Sequence, residues 1–295
     1  MTNLISLYFY IDERYNKEWK YLNERFSNNH QPAFTDVELL TVYCYGIMEE
    51  KRFKQKELYD FTKKYLLSWF PRLPSYQAFN GRINQMTEVF KQMLVECVLL
   101  LGKGEQTNRE SVVDSLPIIT CSGKRKGKVA RELTNKGYCS TKGMYYFGVK
   151  LHALGWARKG KLPCPENFVI TPASENDLNV FREYWHDVEG RIIYGDKIYK
   201  DADWFTTLAK EKNSIMLTPV KAVKGIAERI KQMNKAADDL WSKAVSTVRQ
   251  PIESLFNWLI EKVDLQRASK VRSTKGLIVH VYGKLAAAFI EKIIF

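Results

Sequence analysis

Two β-prone runs near the middle of the chain each carry a carboxylate where the pattern calls for an apolar side chain. In "SVVDSLPIITC" Asp114 follows Val112 and Val113 and precedes Leu116. In "RIIYGDKIYK" Ile192, Ile193 and Tyr194 run apolar, Gly195 breaks the run, and Asp196 follows at once. A carboxylate in a buried strand is costly unless something pairs with it. The two strands therefore predict a place where acids meet positive charge.

The sequence around them changes texture once. Residues 1 to about 110 read as helical. Thr35 with Glu38 makes a capping-box pattern ahead of Leu39, Leu40, Tyr43 and Ile47 at helical spacing. Pro71 and Pro74 force a break, and Ser75 can cap a short helix carrying Tyr76, Gln77, Asn80, Arg82 and Asn84. Helix, Pro-containing turn and polar-aromatic helix outline a helix-turn-helix, in which Gln77, Asn80 and Arg82 are candidate DNA contacts. From residue 111 β-branched runs take over. "GMYYFGVKLHALGWA" alternates like a strand or one arm of a hairpin, and "NFVITPAS" is a short strand. A helix that Ser174 could cap, the "RIIYGD" strand, the helix "KDADWFTTLAKEK" and the strand "SIMLTPV" follow. This order predicts an α/β region, a mixed sheet with helices packed on it. Beyond residue 221 the pattern is helical again.

A third acid completes the set. Glu253 lies near the start of "PIESLFNWLIEKV", where Ile252, Leu255, Phe256, Leu259 and Val263 form the apolar stripe and Pro251 suits the first turn. Glu253 sits about 100° round from Ile252, at the edge of the buried face. Clustered carboxylates repel unless cations neutralise them. Hard oxygen ligands suit Mg²⁺ or Mn²⁺, and two such ions serve in-line phosphoryl displacement.

Charge points the same way. Against 33 acidic residues stand 46 Lys and Arg, a formal net charge of +13 that suggests a polyanionic partner. Residues 121–143, read as a loop, hold seven Lys or Arg, among them Lys124, Arg125, Lys126, Lys128 and Arg131, and one acid, Glu132. Such a segment beside a metal site would grip a phosphate backbone. A second basic segment, with Lys270 and Arg272, follows the Glu253 helix. The five cysteines form no C-x-x-C pair and show no scaffold spacing. The N-terminus lacks signal-peptide features, and His280, Lys284, Glu291 and Lys292 interrupt the apolar tail, so it falls short of a membrane span. A cytoplasmic protein is expected.

The segments "VVDS", "YYFGVKLHALG", "IIYGDKIYKD" and "VRQPIESLFNWLIEK" resemble the DDE transposases of bacterial insertion sequences, and most of all the insertion sequence 982 family. "FTDVELLTVYCYGIM", "FPRLPSYQAFNGRINQM" and "QRASKVRSTKGLIVHVYGKLAAAF" resemble the same group. The resemblance implies an RNase H-like catalytic domain over 111–295, preceded by a helical DNA-binding region over 1–110. It implies a two-metal triad matched by Asp114, Asp196 and Glu253, which cuts a DNA strand at the element's end and joins the freed 3′-OH to target DNA. The expected partners are the terminal inverted repeats, target DNA and a second copy of the chain when assembled on DNA. Related transposases often carry Tyr, Arg, Glu and Lys at set intervals around the glutamate. Arg249 matches and is a candidate phosphate contact, whereas Ser246 stands at the Tyr position and Ile260 at the Lys position. Lys262 points roughly to the opposite face from Glu253. Two other functions fit the residues: a DNA-binding regulator from a decayed element, which would lack Mg²⁺-dependent nicking, and a nuclease of the same fold, which would lack strand transfer.

Overall fold

The computed structural model describes residues 2–23, 32–140, 142–221, 225 and 228–294. His30 lies outside them. The chain opens with helices α1 (Thr2–Lys17), α2 (Asp36–Met48), α3 (Gln55–Tyr65), α4 (Tyr76–Gln85) and α5 (Thr87–Gly102). The expected capping box starts α2: the Thr35 hydroxyl accepts from Glu38 N at 3.2 Å, and the Glu38 carboxylate accepts from Thr35 N at 2.6 Å. Ser75 caps α4, accepting from Ala78 N. Residues 66–75 join α3 to α4, a longer connection than the three or four residues of a tight helix-turn-helix.

The sheet then begins at once, with β1 (Glu110–Ser122), β2 (Asn135–Cys139), β3 (Met144–Trp156) and β4 (Cys164–Pro172). Helix α6 (Asp177–Tyr184), β5 (Ile192–Tyr194), α7 (Ala202–Lys212) and β6 (Ile215–Leu217) follow. β3 runs antiparallel to β1 along one edge; along its other edge it pairs first with β2 and then with β4. On its far side β1 pairs in parallel with β5, and β5 with β6. The order β4-β3-β1-β5-β6, antiparallel on one half and parallel on the other, is the RNase H-like mixed sheet, with helices flanking it. The structure corrects two local expectations. Asn176, not Ser174, caps α6, because the Ser174 hydroxyl and backbone N are both engaged by Asn135. The basic segment 121–143 is only partly loop. Residues 121–122 belong to β1 and 135–139 to β2, and between them Ala130 is buried while Val129 and Leu133 pack on the core.

The C-terminal helices are α8 (Glu228–Arg249), α9 (Pro251–Val263), α10 (Thr274–Ile278) and, after one wider turn over Val279–Gly283, α11 (Lys284–Ile294). The apolar tail is core. Leu285, Ala286, Ala287, Ala288, Phe289 and Ile290 are buried in the same cluster as Leu40 and Cys44 of α2 and Phe90 and Met93 of α5. Small residues let these helices approach: a Cβ at Gly283 would stand 2.6 Å from the Tyr43 hydroxyl, which donates to Val279 O at 3.2 Å. Among the described residues no helix is long and apolar enough to cross a membrane.

Arg82 is expected from the sequence to face DNA, and the structure gives it other work. Its Nε and Nη2 donate to the Asp36 carboxylate at 2.8 and 2.6 Å, and Nη2 also donates to Asn23 O. Only 12% of its side chain and 6% of that of Asp36 are exposed, so the fork locks α4 to the start of α2. Breaking an enclosed pair leaves an uncompensated charge and costs about 3–5 kcal/mol. Arg82→Ala is therefore expected to destabilise the protein by about 3 kcal/mol in chemical denaturation.

Candidate active site

Parallel pairing of β1 with β5 sets Val112 beside Tyr194. Two residues beyond that pair along the chain stand Asp114, still in β1, and Asp196, past the end of β5, close enough for the Asp196 charge to act on the Asp114 carboxyl. β5 ends at Tyr194, and Asp196 sits in the turn that follows, accepting from Lys197 N at 2.7 Å. Gly195 permits that turn: a Cβ there would meet the Tyr199 ring at 2.8 Å and the Met216 sulfur at 3.0 Å.

Helices α8 and α9 bring the third acid. Arg249, the last residue of α8, points its guanidinium between two carboxylates. Nη1 donates to Asp114 Oδ2 at 2.6 Å and Nη2 donates to Glu253 Oε1 at 2.5 Å. Glu253 lies one turn further on in α9 and its side chain is 49% exposed, as expected for the edge of the buried stripe. The fork joins Asp114 to Glu253, and Asp196 adds its charge to both Asp114 and Arg249. Burial pushes the Asp114 carboxyl up to about 7, although Arg249 and the Ser115 N–H pull it down; Asp177 and Asp196 add to the rise. Burial opposes the Arg249 charge, but Asp114 and Glu253 outweigh it and hold its pKa above the ordinary value.

Formally, three carboxylates against one guanidinium leave two negative charges uncompensated. Hard oxygen donors with that deficit fit a divalent cation by charge and chemistry. Among the described residues, however, no three His, Cys, Asp or Glu side chains stand close enough together to hold one ion. The Arg249 fork occupies the ground between Asp114 and Glu253.

Sequence reasoning missed a second polar network on the other side of β1. Asp177, in the first turn of α6, is buried and accepts from Ser115 Oγ at 3.0 Å and from Lys150 Nζ at 2.8 Å. His152 packs beside it, fully buried, with Nε2 2.8 Å from Thr171 Oγ1. Burial lowers the His152 pKa to about 4, so the ring is neutral at pH 7. The signal was present: Lys150 and His152 are two apart on a strand and share a face. The buried Tyr199 hydroxyl lies in the field of Asp177, Asp114 and Asp196, which joins this network to the carboxylates. Lys262 takes no part, because it pairs with Glu291 of α11 at 2.8 Å.

The remaining basic candidates lie on the surface, with Lys124, Arg125, Lys126 and Arg131 exposed. Lys128 is exposed as well. Glu132, from the same stretch, accepts from the Thr274 hydroxyl, and Ile119 pairs through its backbone with Gln266 and Ala268. These contacts set the block beside the second basic segment, where Lys270 and Arg272 are exposed. Gln77 is exposed on α4, and Asn80 is half-buried.

Residues 105–290 match the family model described as the transposase DDE domain. The chain belongs to this family. Family membership assigns it to DNA transposition, which is phosphoryl-transfer chemistry, and to binding DNA. None of the curated proteins matches the chain. A solved structure titled a pre-cleavage Mos1 transpososome matches over 94% of this chain and 86% of that one, at 13% identity and a TM-score of 0.21.

The raised Asp114 pKa has a stability consequence. A carboxyl that ionises near 7 when folded and at 3.8 when unfolded binds more protons in the folded state between those values. Its contribution therefore falls as pH rises from about 4 to 7, by at most about 4 kcal/mol. Asp114→Asn removes this dependence, so thermal melts across that range should show the variant gaining on the wild type as pH rises. A constant difference between the two would mean that Asp114 ionises as in the unfolded chain.

Proposed function

We propose that the chain is the transposase of a bacterial insertion sequence of the 982 kind. It cuts a DNA strand at the element's end and joins the freed 3′-OH to target DNA. The observation that carries this reading is the Arg249 guanidinium that ties Asp114 of β1 to Glu253 of α9, with Asp196, in the turn after the adjacent parallel strand, acting by its charge on both Asp114 and Arg249. Asp114, Asp196 and Glu253 would hold Mg²⁺ or Mn²⁺, two ions in all. Such a pair supplies an activated attacking oxygen and stabilises the leaving one.

The chain's own residues do the rest. Arg249, once free of Asp114, meets a non-bridging phosphate oxygen. The exposed block of Lys124, Arg125, Lys126, Lys128 and Arg131, with Lys270 and Arg272, tracks the backbone near the cut. In the helical region, 1–110, Gln77 and Asn80 on α4 face the terminal inverted repeat; residues 111–295 form the catalytic part. A second copy joins on DNA through α8, where Ile230, Met233 and Leu240 are 51%, 74% and 71% exposed and fall with Ala237 and Ala244 on one stripe at coiled-coil spacing. The protein works in the cytoplasm, where its five free cysteines stay reduced.

Asp196→Asn separates the roles. It keeps the side chain's shape and removes one negative charge, so binding of the terminal repeat in a gel shift should persist. Mg²⁺-dependent nicking of the same DNA should fall by orders of magnitude, because a neutral amide is a poor Mg²⁺ ligand. Nicking at near wild-type rate would make Asp196 a turn residue only. Nicking by the wild type without strand transfer would make the protein a nuclease of this fold.

A further inference from the structure

A cavity of about 670 Å³ opens where the helical region meets the C-terminal segment. Its walls come from α2, from the loop before α3 and its first turn, from α4 and from residues 264–284, so it lies between elements far apart along the chain. That volume falls within the roughly 300–1,000 Å³ of sites that take a ligand the size of a nucleotide. Its rim is basic, with Arg52, Lys54, Arg267, Lys270 and Arg272 among the lining residues. Lys54 is engaged by Glu57, and Arg267 is 83% exposed, its Nε 4.0 Å from Asp264.

The floor holds a less ordinary group. Lys284 lines the cavity yet is only 2% exposed. Its Nζ donates to Asp264 O at 2.9 Å and stands 5.4 Å from the centre of the Phe53 ring. An ammonium has three N–H donors, and among the described residues no carboxylate forms a hydrogen bond to this one. Lysine is almost never buried this far without a partner. Burial lowers its pKa to about 8, and the ammonium is still the main form at pH 7. A buried cation with spare donors, under a cavity ringed by further cations, is suited to an anion with several acceptor oxygens.

We propose that this cavity seats a phosphate of a DNA backbone, with Lys284 as its buried anchor and Arg52, Arg267, Lys270 and Arg272 around it. The inference rests on the reading of the chain as a DNA transposase and adds a specific anchoring point to it. Asn80 and Asn84 of α4 line the same cavity, so a backbone held there runs past the face that carries Gln77 and Asn80. On the other side, the hydrogen bond from Thr274 to Glu132 connects residues 264–284 to the block at 121–143.

The test is the salt dependence of duplex binding, read by fluorescence anisotropy between roughly 50 and 200 mM salt. Lys284→Met keeps the length and removes the charge. It should flatten the log–log slope by about 0.9, the share of one phosphate left unneutralised, with a melting temperature equal to or above that of the wild type. The double variant Arg267→Ala, Lys270→Ala, at exposed positions, should flatten the slope as well. A wild-type slope in Lys284→Met, even beside a flattened slope in the double variant, would overturn the proposal while leaving the transposase reading intact. So would saturable binding of inorganic phosphate that Lys284→Met abolishes without changing the duplex slope, since the site would then serve a free anion. No duplex binding by the wild type would overturn both this proposal and the reading beneath it.

Discussion

The Arg249 fork is the interaction on which the acidic site depends. β1 carries Asp114, the turn after the neighbouring β5 carries Asp196, and α9 adds Glu253, so three carboxyl groups gather around Arg249. Carboxylates placed in this way repel one another, and burial adds to the cost at Asp114. One guanidinium donating to both Asp114 and Glu253 makes the arrangement tolerable. It is also a poor substitute for a divalent ion, because a single charge leaves the set formally short by two. The same arginine therefore stabilises the acids in the free protein and, on the function proposed above, would have to yield to the ions.

The rest of the fold holds this site in place. β1 and β3 pair along almost their whole length, which fixes Asp114 in the sheet's centre. α8 and α9 meet at Gln250 and Pro251, so Arg249 and Glu253 are four residues apart across a helix junction and reach the same place. Helix α11 packs on α2 and α5 within the main core, which ties the C-terminal segment to the N-terminal helices. That packing is what creates the basic cavity, and it buries Lys284 at its floor.

Much of this is legible in the sequence, because much of it is local. The capping box at Thr35, the cap at Ser75, the strand that ends before Asp196 and the apolar stripe of α9 follow from residue patterns that act within a few positions. What is not legible depends on long-range contact. Arg82 looks like a surface reader because its partner, Asp36, lies 46 residues away. Ser174 looks like a cap because Asn135, which engages it, belongs to another strand. The resemblance to related transposases implies that Arg249 is a phosphate contact, and its bond to Asp114, 135 residues distant, comes only from the fold. Lys284 reads as an interruption in an apolar tail, and only the packing of α11 reveals it as a buried cation beneath a cavity.

The most direct test of the central claim is anomalous diffraction from crystals of the protein soaked with Mn²⁺. The account predicts a Mn²⁺ peak bound by Asp114 and Asp196, with the Arg249 guanidinium withdrawn from Asp114. Arg249 still on Asp114 at saturating Mn²⁺, with no ion at the two aspartates, would contradict it.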